Sequence, residues 1–368
     1  DALRGCVYID PDEKELATFA RRQEDYIAWE WKVRRNAALP AETLDGVRVD
    51  VQANMETPGE VDAVKACGAE GVGLYRTEIS YLRGHALPDE EQLYAEYAAV
   101  VRDLAPRRIV FRTLDVGADK MLHAQTALKE PNPALGLRAI RFCLRHQNIF
   151  RTQLRAMLRA GVHGNAALML PMISGLGEVQ AVRRIINEVS QELTAEGLPH
   201  EPDMPVGIMI EVPSAVFMAD ALARECDFFS IGTNDLVHYL LAIDRINKHV
   251  SYLHEPLHPA VVRSLKRIID CAHREGIGVS VCGELAADPY CLAILLGMGV
   301  DVLSATPRSV PGVKHLVRNL NAEACTELAH SVLMTSDVAA ANRMVTEALS
   351  HSLHEELSFH TTMIPTNG

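Results

Sequence analysis

Short runs of β-branched and apolar residues alternate along the chain with longer segments whose apolar residues recur at helical spacing. The runs occupy positions 48–54, 71–75, 109–115, 167–172, 206–211, 228–232, 279–282 and 301–304. Strands that alternate with helices pair in parallel through right-handed crossovers. Eight such units over roughly 260 residues predict an α/β chain folded as a (β/α)8 TIM barrel. An open doubly wound sheet fits less well, because no Gly-rich dinucleotide fingerprint follows the first strand.

The flanks follow a different pattern. Positions 12–35 are rich in Glu, Lys, Arg and Ala, lack Pro and Gly, and predict a long exposed helix that Leu39-Pro40 stops. Two readings stay open for it: a plain solvated helix, or a connector from a missing upstream domain. The chain opens on Asp1 rather than Met, so a piece of a longer protein is expected. Beyond the barrel a helical hairpin is expected at 323–333 and 338–350, with Thr335, Ser336 and Asp337 as N-cap candidates for its second helix. The resulting division is a connector at 1–45, a barrel at 46–321, a hairpin at 322–350 packed on it, and a loose polar tail at 351–368.

Composition narrows the function classes. With 48% hydrophobic and 23% charged residues the chain is ordinary globular material. A formal charge of −12 argues against nucleic acid or an anionic membrane surface as the main partner. It leaves room for an anionic substrate, because a few arginines reverse the field inside one cleft. The eight cysteines show no paired CxxC spacing and sit mostly in apolar runs, as buried reduced thiols do. No apolar stretch approaches the roughly 18 residues of a membrane span, no signal peptide opens the chain, and a cytoplasmic location is expected.

In a barrel of this kind chemistry collects where the strands end at their carboxyl side. Strand two closes on Arg76-Thr77-Glu78 and strand three on Arg112-Thr113-Leu114-Asp115; strand five closes on Glu211. Strand six leads into Thr233-Asn234-Asp235, with Asp244-Arg245 a little further on, and strand seven closes on Cys282-Gly283-Glu284. Arg76, Arg112 and Arg245 are guanidinium groups able to grip phosphate or carboxylate through two hydrogen bonds. Glu211 and Asp235 are hard oxygen donors suited to Mg2+, which takes one or two carboxylates and leaves room for substrate oxygens. Asn234 can donate to a phosphate oxygen, and Cys282 is a lone thiol next to a glycine that permits close approach. Any one of these arginines is equally explained by an ion pair with a neighbouring glutamate. The whole set, spread over different strands, is much harder to explain that way.

At these same residues the sequence resembles the phosphoenolpyruvate-utilising enzymes, and most closely enzyme I of the bacterial phosphotransferase system. The resemblance rests on GVGLYRTE at 71–78, FRTLDVGADK at 111–120, NPALGLRAIR at 132–141, GIMIEVPS at 207–214, IGTNDL at 231–236 and VCGELAADP at 281–289. Six ordered blocks at consistent intervals are far more specific than one short motif. The resemblance implies that Arg76, Arg112 and Arg245 grip phosphoenolpyruvate (PEP), with Asn234 assisting and Arg138 close by. It implies Mg2+ on Glu211 and Asp235, and Cys282 as the acid that protonates the enolate to pyruvate. It further implies a phosphohistidine on a separate domain, an HPr-like carrier protein as the next acceptor, and a homodimer formed through the barrel.

Some features depart from the family. No histidine lies in the Gly-rich Ser-His setting of the family's phosphohistidine. His238 stands where a glutamine is common, either facing the site or packed on the following helix, and the role of Lys120 is less secure than that of the arginines. His254 and His258 flank Pro256 and suggest a loop rather than a metal pair. The alternatives to a catalytic module are a PEP-sensing or dimerisation module without turnover, and a barrel of the PEP synthase or pyruvate phosphate dikinase type. The block at 115–120 leans toward the nitrogen-related rather than the sugar-transport branch.

Overall fold

The computed structural model describes residues 7–83, 86–117, 132–244, 247–353 and 357. Eight parallel strands close into a barrel in sequence order: β1 (Asp50–Met55), β2 (Gly71–Arg76), β3 (Arg108–Arg112), β4 (Ala166–Leu170), β5 (Val206–Ile210), β6 (Phe228–Ile231), β7 (Gly278–Val281) and β8 (Val302–Ala305). The ring shuts where β8 pairs with β1, Val302 opposite Asp50 and Ala305 opposite Ala53. The expected barrel is therefore the observed fold, with helices on its outside. Among the described residues no helix is long and apolar enough to cross a membrane.

Successive side chains of a strand point to opposite faces, so each strand contributes one apolar set to the lumen and another to the helix layer. Leu74, Val110, Ala167, Met169, Met209, Phe228 and Cys282 fill the lumen as a cluster of their own. Ile109, Phe111, Leu168, Ile208, Ile210 and Ile231 face outward into the larger core beneath the helices, and Val72 joins them because the pairing register of β2 shifts between Val72 and Tyr75. The lumen face runs on in steps of two from Leu74 to Arg76, from Val110 to Arg112 and from Met209 to Glu211. That periodicity delivers charged groups to the barrel mouth, directly above an apolar floor.

Strand ends differ from expectation by a few residues, for identifiable reasons. β3 stops at Arg112, short of Asp115, because side chains replace the ladder: Leu114 N–H donates to Gln153 Oε1 at 2.9 Å and Asp115 N–H to Glu78 Oε1 at 3.2 Å. β4 stops at Leu170 because the chain turns through Met172, whose φ of +58° lies in the left-handed region. The turn aims Met172 N–H at Glu211 Oε1, 2.6 Å away.

The N-terminal helix, Glu13–Arg35, starts in a capping box in which Asp12 and Glu15 bond each other's backbone N–H, at 2.7 and 2.9 Å. Only Trp29 and Val33 of this helix are buried, where its last turns meet the helix Val310–Arg318. The hairpin is Ala322–Met334 and Val338–Ser352. Of the three N-cap candidates Asp337 takes the position, accepting from Ala339 N–H at 3.0 Å. The second helix runs two residues past the expected end and Leu353 is fully buried; the rest of the tail, apart from Leu357, lies outside the described residues. The seven described cysteines are all free and buried. His254 sits at the end of a short turn, and His258 caps the helix Pro259–Arg274 through Nδ1, which accepts from Ala260 N–H at 3.1 Å.

The hairpin is seated on the helix Pro289–Gly297 at a point with no spare room. A Cβ on Gly297 would lie 2.0 Å from the carbonyl oxygen of Cys325 and 2.4 Å from its carbon. Both obstacles are backbone, so accommodation requires the helices to part. Gly297→Ala is expected to lower the unfolding free energy by about 1–3 kcal/mol, measured by urea denaturation; an unshifted midpoint would mean that the hairpin is not held at this contact.

Candidate active site

The barrel register brings the candidate residues to one level. Arg76 and Arg112 are direct cross-strand partners on β2 and β3. Ile210 pairs with Ile231 and Ile231 with Val281, so the residues just past these strands, Glu211, Gly232 and Cys282, also lie level. The pairing continues beyond the strands: Gly232 N–H donates to Ile210 O at 3.2 Å and Cys282 N–H to Ile231 O at 3.2 Å. Asn234 and Asp235 stand in the first turn of the helix Thr233–Leu241. Arg138 arrives from a loop and occupies the N-cap of Ala139–Arg145. Arg245 and Lys120 lie outside the described residues.

Carboxylates and guanidinium groups interleave across the mouth. Arg112 donates through Nη2 to Glu78 Oε1 at 2.7 Å, and its Nη1 lies 3.0 Å from Asp115 Oδ2. Arg138 reaches the other oxygen of Asp115 through Nη2 at 2.9 Å and Nε at 3.2 Å. The same Nη2 is 3.4 Å from Asp235 Oδ2, and Nη1 is 3.3 Å from the Tyr239 hydroxyl. Arg76 pairs with Glu56 at the more open edge of the site. The ion-pair explanation weighed for single arginines thus holds in part for Arg76, Arg112 and Arg138. It does not use all of their donors, since Arg112 Nε is buried without a partner among the described residues.

Burial sets the protonation of these groups. It opposes the charge on Arg112, yet Glu78, Asp115 and Glu211 outweigh it and raise the guanidinium pKa. Burial also works against ionised Asp115, but Arg112, Arg138 and Arg76 hold its carboxyl below the usual range. At Glu78 burial wins over the pull of Arg112, and the pKa rises. Glu211, 1% exposed, is pushed well above the ordinary range by burial and by the charges of Asp235 and Asp115, with Arg112 offering only partial relief. Among the described residues carboxylates outnumber guanidinium groups here, and the least relieved of them is Glu211, beside Asp235.

That surplus is the test of fit for Mg2+. A divalent cation at Glu211 and Asp235 would neutralise the charge that the arginines leave over. Among the described residues no three His, Cys, Asp or Glu side chains form a cage that could hold a metal. Two carboxylates with room for water and substrate oxygens are the donor set Mg2+ accepts, so the residues fit.

Cys282 forms the floor on the β7 side and is 3% exposed. Its thiol accepts from Ser230 Oγ at 3.3 Å and donates to Ile231 O at 3.6 Å. Burial pushes its pKa above the ordinary thiol value, although the Ser230 hydroxyl pulls the other way. Burial favours the protonated thiol, while the charges of Arg112 and Arg76 pull toward thiolate. Gly283 is required beside it, because a Cβ there would lie 1.9 Å from Thr233 Oγ1. Asn234 Oδ1 accepts from Glu284 N–H at 3.2 Å, and His238 is half-buried with its ring edge-on to Tyr239 at 4.9 Å.

Several site residues were not singled out from sequence. Glu78 and Asp115 stood in the strand-end segments but had no assigned role. Glu56 was hidden because the first strand was closed at Asn54, one turn of the pleat too early. Tyr239 carries a helical signal, lying four residues after Asp235. Asn54 ties β1 to its neighbours, donating from Nδ2 to Cys282 O at 3.0 Å and Ser304 O at 3.3 Å.

The raised Glu211 pKa makes a stability prediction. A carboxyl whose folded pKa exceeds its unfolded value binds more protons folded than unfolded, so stability falls as pH rises from about 4.5 through the folded pKa. In EDTA, Glu211→Gln is expected to be more stable than the parent above neutral pH by about 1–3 kcal/mol, with the difference fading toward pH 4.5 or below. Urea unfolding at several pH values measures this; equal stability at high pH would show that the Glu211 charge is already compensated.

The model of the family described as PEP-utilising enzyme, PEP-binding domain, matches residues 31–322. A phosphoenolpyruvate-protein phosphotransferase from Geobacillus stearothermophilus is 43% identical over 336 residues, 90% of this chain and 58% of that protein. Proteins of the same name from Staphylococcus aureus and Listeria innocua are each 40% identical, over 90% and 91% of this chain and 58% and 59% of their own length. The chain thus spans a little under three fifths of the relatives it matches. A citrate lyase structure from Burkholderia xenovorans LB400 covers 88% of this chain and 100% of that one at 15% identity, with a TM-score of 0.46, too slight a likeness to inform the chemistry. On the family match, which extends from within the N-terminal helix through the whole barrel, this chain belongs to the PEP-utilising enzymes and carries their PEP-binding domain.

Proposed function

We propose that this chain is the catalytic PEP-binding part of an enzyme I–type phosphoenolpyruvate–protein phosphotransferase. The observation that carries the reading is the level arrangement at the mouth. Arg76 and Arg112 are register partners, Arg112 keeps a buried Nε without a partner among the described residues, and Glu211 and Cys282 follow the ends of β5 and β7. A small ester bearing both a phosphate and a carboxylate has the anionic groups these arginines lack. The name of the relatives, phosphoenolpyruvate-protein phosphotransferase, supplies the same substrate.

In this reading Arg76, Arg112, Arg138 and Arg245 grip the phosphate and carboxylate, and Asn234 donates to a phosphate oxygen. Phosphoryl transfer is mainly positioning and charge neutralisation, which a set of guanidinium groups provides. Glu211 and Asp235 would hold Mg2+, which when bound supplies further positive charge beside the transferring group. The phosphoryl group leaves the enolic oxygen for a histidine nitrogen on a separate domain and passes from there to an HPr-like carrier protein. The enolate left behind takes a proton on its methylene carbon from the Cys282 thiol, giving pyruvate and a thiolate. A donor in this role must hold its proton at neutral pH, and a thiol buried against Leu74, Met209 and Phe228 does so.

That buried thiol also favours turnover over a purely sensing or dimerising module, which has no use for an acid on the carbon side. A homodimer formed through the barrel and a cytoplasmic location complete the proposal.

Calorimetric titration of PEP into the chain, with Mg2+ and then with EDTA, tests the reading. Saturable, metal-dependent binding is expected; absence of binding in both conditions would overturn it. Arg112→Ala should weaken binding by about 2–5 kcal/mol, because a buried anion loses its partner. Cys282→Ala should keep PEP affinity within about threefold, since a thiol beside the substrate carbon contributes little to holding the anion. In the full-length protein the same change should abolish pyruvate formation; a normal rate would remove Cys282 from the role of acid.

A further inference from the structure

We propose that Asp115 is a positioning residue that draws Arg138 off a full ion pair with Asp235, leaving only the longer 3.4 Å contact, and so keeps the Asp235 carboxylate open to the divalent cation. The inference rests on the reading of Glu211 and Asp235 as the cation's ligands. It concerns a residue to which neither the resemblance nor the strand-end chemistry assigns a part.

Arg138 lies between two competing acids. Its Nη2 is 2.9 Å from Asp115 Oδ1 and 3.4 Å from Asp235 Oδ2, and its Nε makes a further contact with Asp115 at 3.2 Å. Asp115 therefore takes the two shorter contacts. Its side chain is 4% exposed against 31% for Asp235, so its attraction is the less screened of the two. Asp115 is itself held in place, with Oδ2 3.0 Å from Arg112 Nη1 and its backbone N–H on Glu78 Oε1.

The backbone is arranged to bring this pair together. Gly117 and Arg138 form an isolated antiparallel bridge, and Ala139 N–H donates to Val116 O at 3.3 Å. Ala139 adopts φ +53° to do so, a left-handed conformation that costs an L-residue on the order of 1 kcal/mol. The fold accepts that strain to hold the start of this helix against the end of β3, where Asp115 lies.

Without the Asp115 charge, Asp235 is the carboxylate still in contact with Arg138 among the described residues. The guanidinium then closes onto it and competes with a cation for the same oxygen. Removing Arg138 as well abolishes that competition, which yields a rescue that a merely structural role for Asp115 does not predict.

The experiment is titration of the chain with Mn2+ alone, followed by the electron paramagnetic resonance of the free ion, so that it does not depend on PEP binding. Asp115→Asn is expected to weaken Mn2+ binding about tenfold, and the double variant Asp115→Asn/Arg138→Gln to recover the affinity of Arg138→Gln alone. Arg138→Gln alone should bind Mn2+ more tightly than the parent. Unchanged affinity in Asp115→Asn, or a double variant as weak as Asp115→Asn, overturns the proposal. Should Asp115→Asn fail to fold, as judged by circular dichroism, an Arg138→Gln variant no tighter than the parent overturns it. A parent chain that binds no Mn2+ brings down the assignment of Glu211 and Asp235, and this inference with it. A binding parent beside an unaltered Asp115→Asn brings down this inference alone.

Discussion

Everything at the barrel mouth depends on charge that the lumen cannot solvate. Leu74, Val110, Met169, Met209 and Phe228 offer no hydrogen bonds, so any ionised group above them must find its partner sideways, among its neighbours on the rim. Isolated buried charges cost several kcal/mol each. The result is the chain of contacts from Glu78 through Arg112, Asp115 and Arg138 to Asp235. Each guanidinium in it is shared by two carboxylates. The chain of pairs is satisfied at Asp115 and leaves an imbalance at both edges: a donor to spare on Arg112, and at Glu211 a carboxyl that burial and the charges of Asp235 and Asp115 push toward protonation. In the proposed reading such a site is complementary to an anion and a cation together.

Such a network keeps its geometry only if its anchor points are rigid. Arg112 and Arg76 stand on paired strands, and Glu211, Cys282 and Asp235 stand within a few residues of strand ends. Groups carried by regular elements are held more exactly in space than groups carried by loops. The exception is Arg138, which comes from a loop, and it is the residue with the most elaborate support: a backbone bridge to Gly117, a strained Ala139, and contacts to two acids and a tyrosine. Where the barrel does not supply rigidity, local backbone and ion pairing supply it instead.

Much of this was legible in the sequence because two periodicities are written there. The alternation of short apolar runs with helical segments specifies the barrel, and the step of two within a strand specifies which polar residues share the lumen face. Arg76, Arg112, Glu211 and Cys282 follow from those alone. Arg138 did not, since no strand carries it; the family resemblance alone pointed to it. The strand limits at Asp115 and Met172 were misplaced because side-chain acceptors and a left-handed turn end the ladder before the apolar pattern ends. The ion pairs were invisible for a further reason. Asp115 and Arg138 are 23 positions apart, and Arg76 and Glu56 are 20 apart, and nothing in the intervening sequence registers that the rim brings them together.

The two halves of the rim solve opposite problems with the same apolar floor. Toward β2 and β3 the low-dielectric surroundings strengthen attraction between fixed charges, so the arginines and acids lock one another in place. Toward β7 the same surroundings penalise a new negative charge, and the Cys282 thiol keeps its proton. In the proposed mechanism a proton donor so placed is idle until an enolate appears beside it. A thiolate formed there would, among the described residues, be relieved by the Ser230 hydroxyl, 3.3 Å away, and by the charges of Arg112 and Arg76. In the proposed mechanism the thiol regains its proton after release of product, a step that the burial raising its pKa favours.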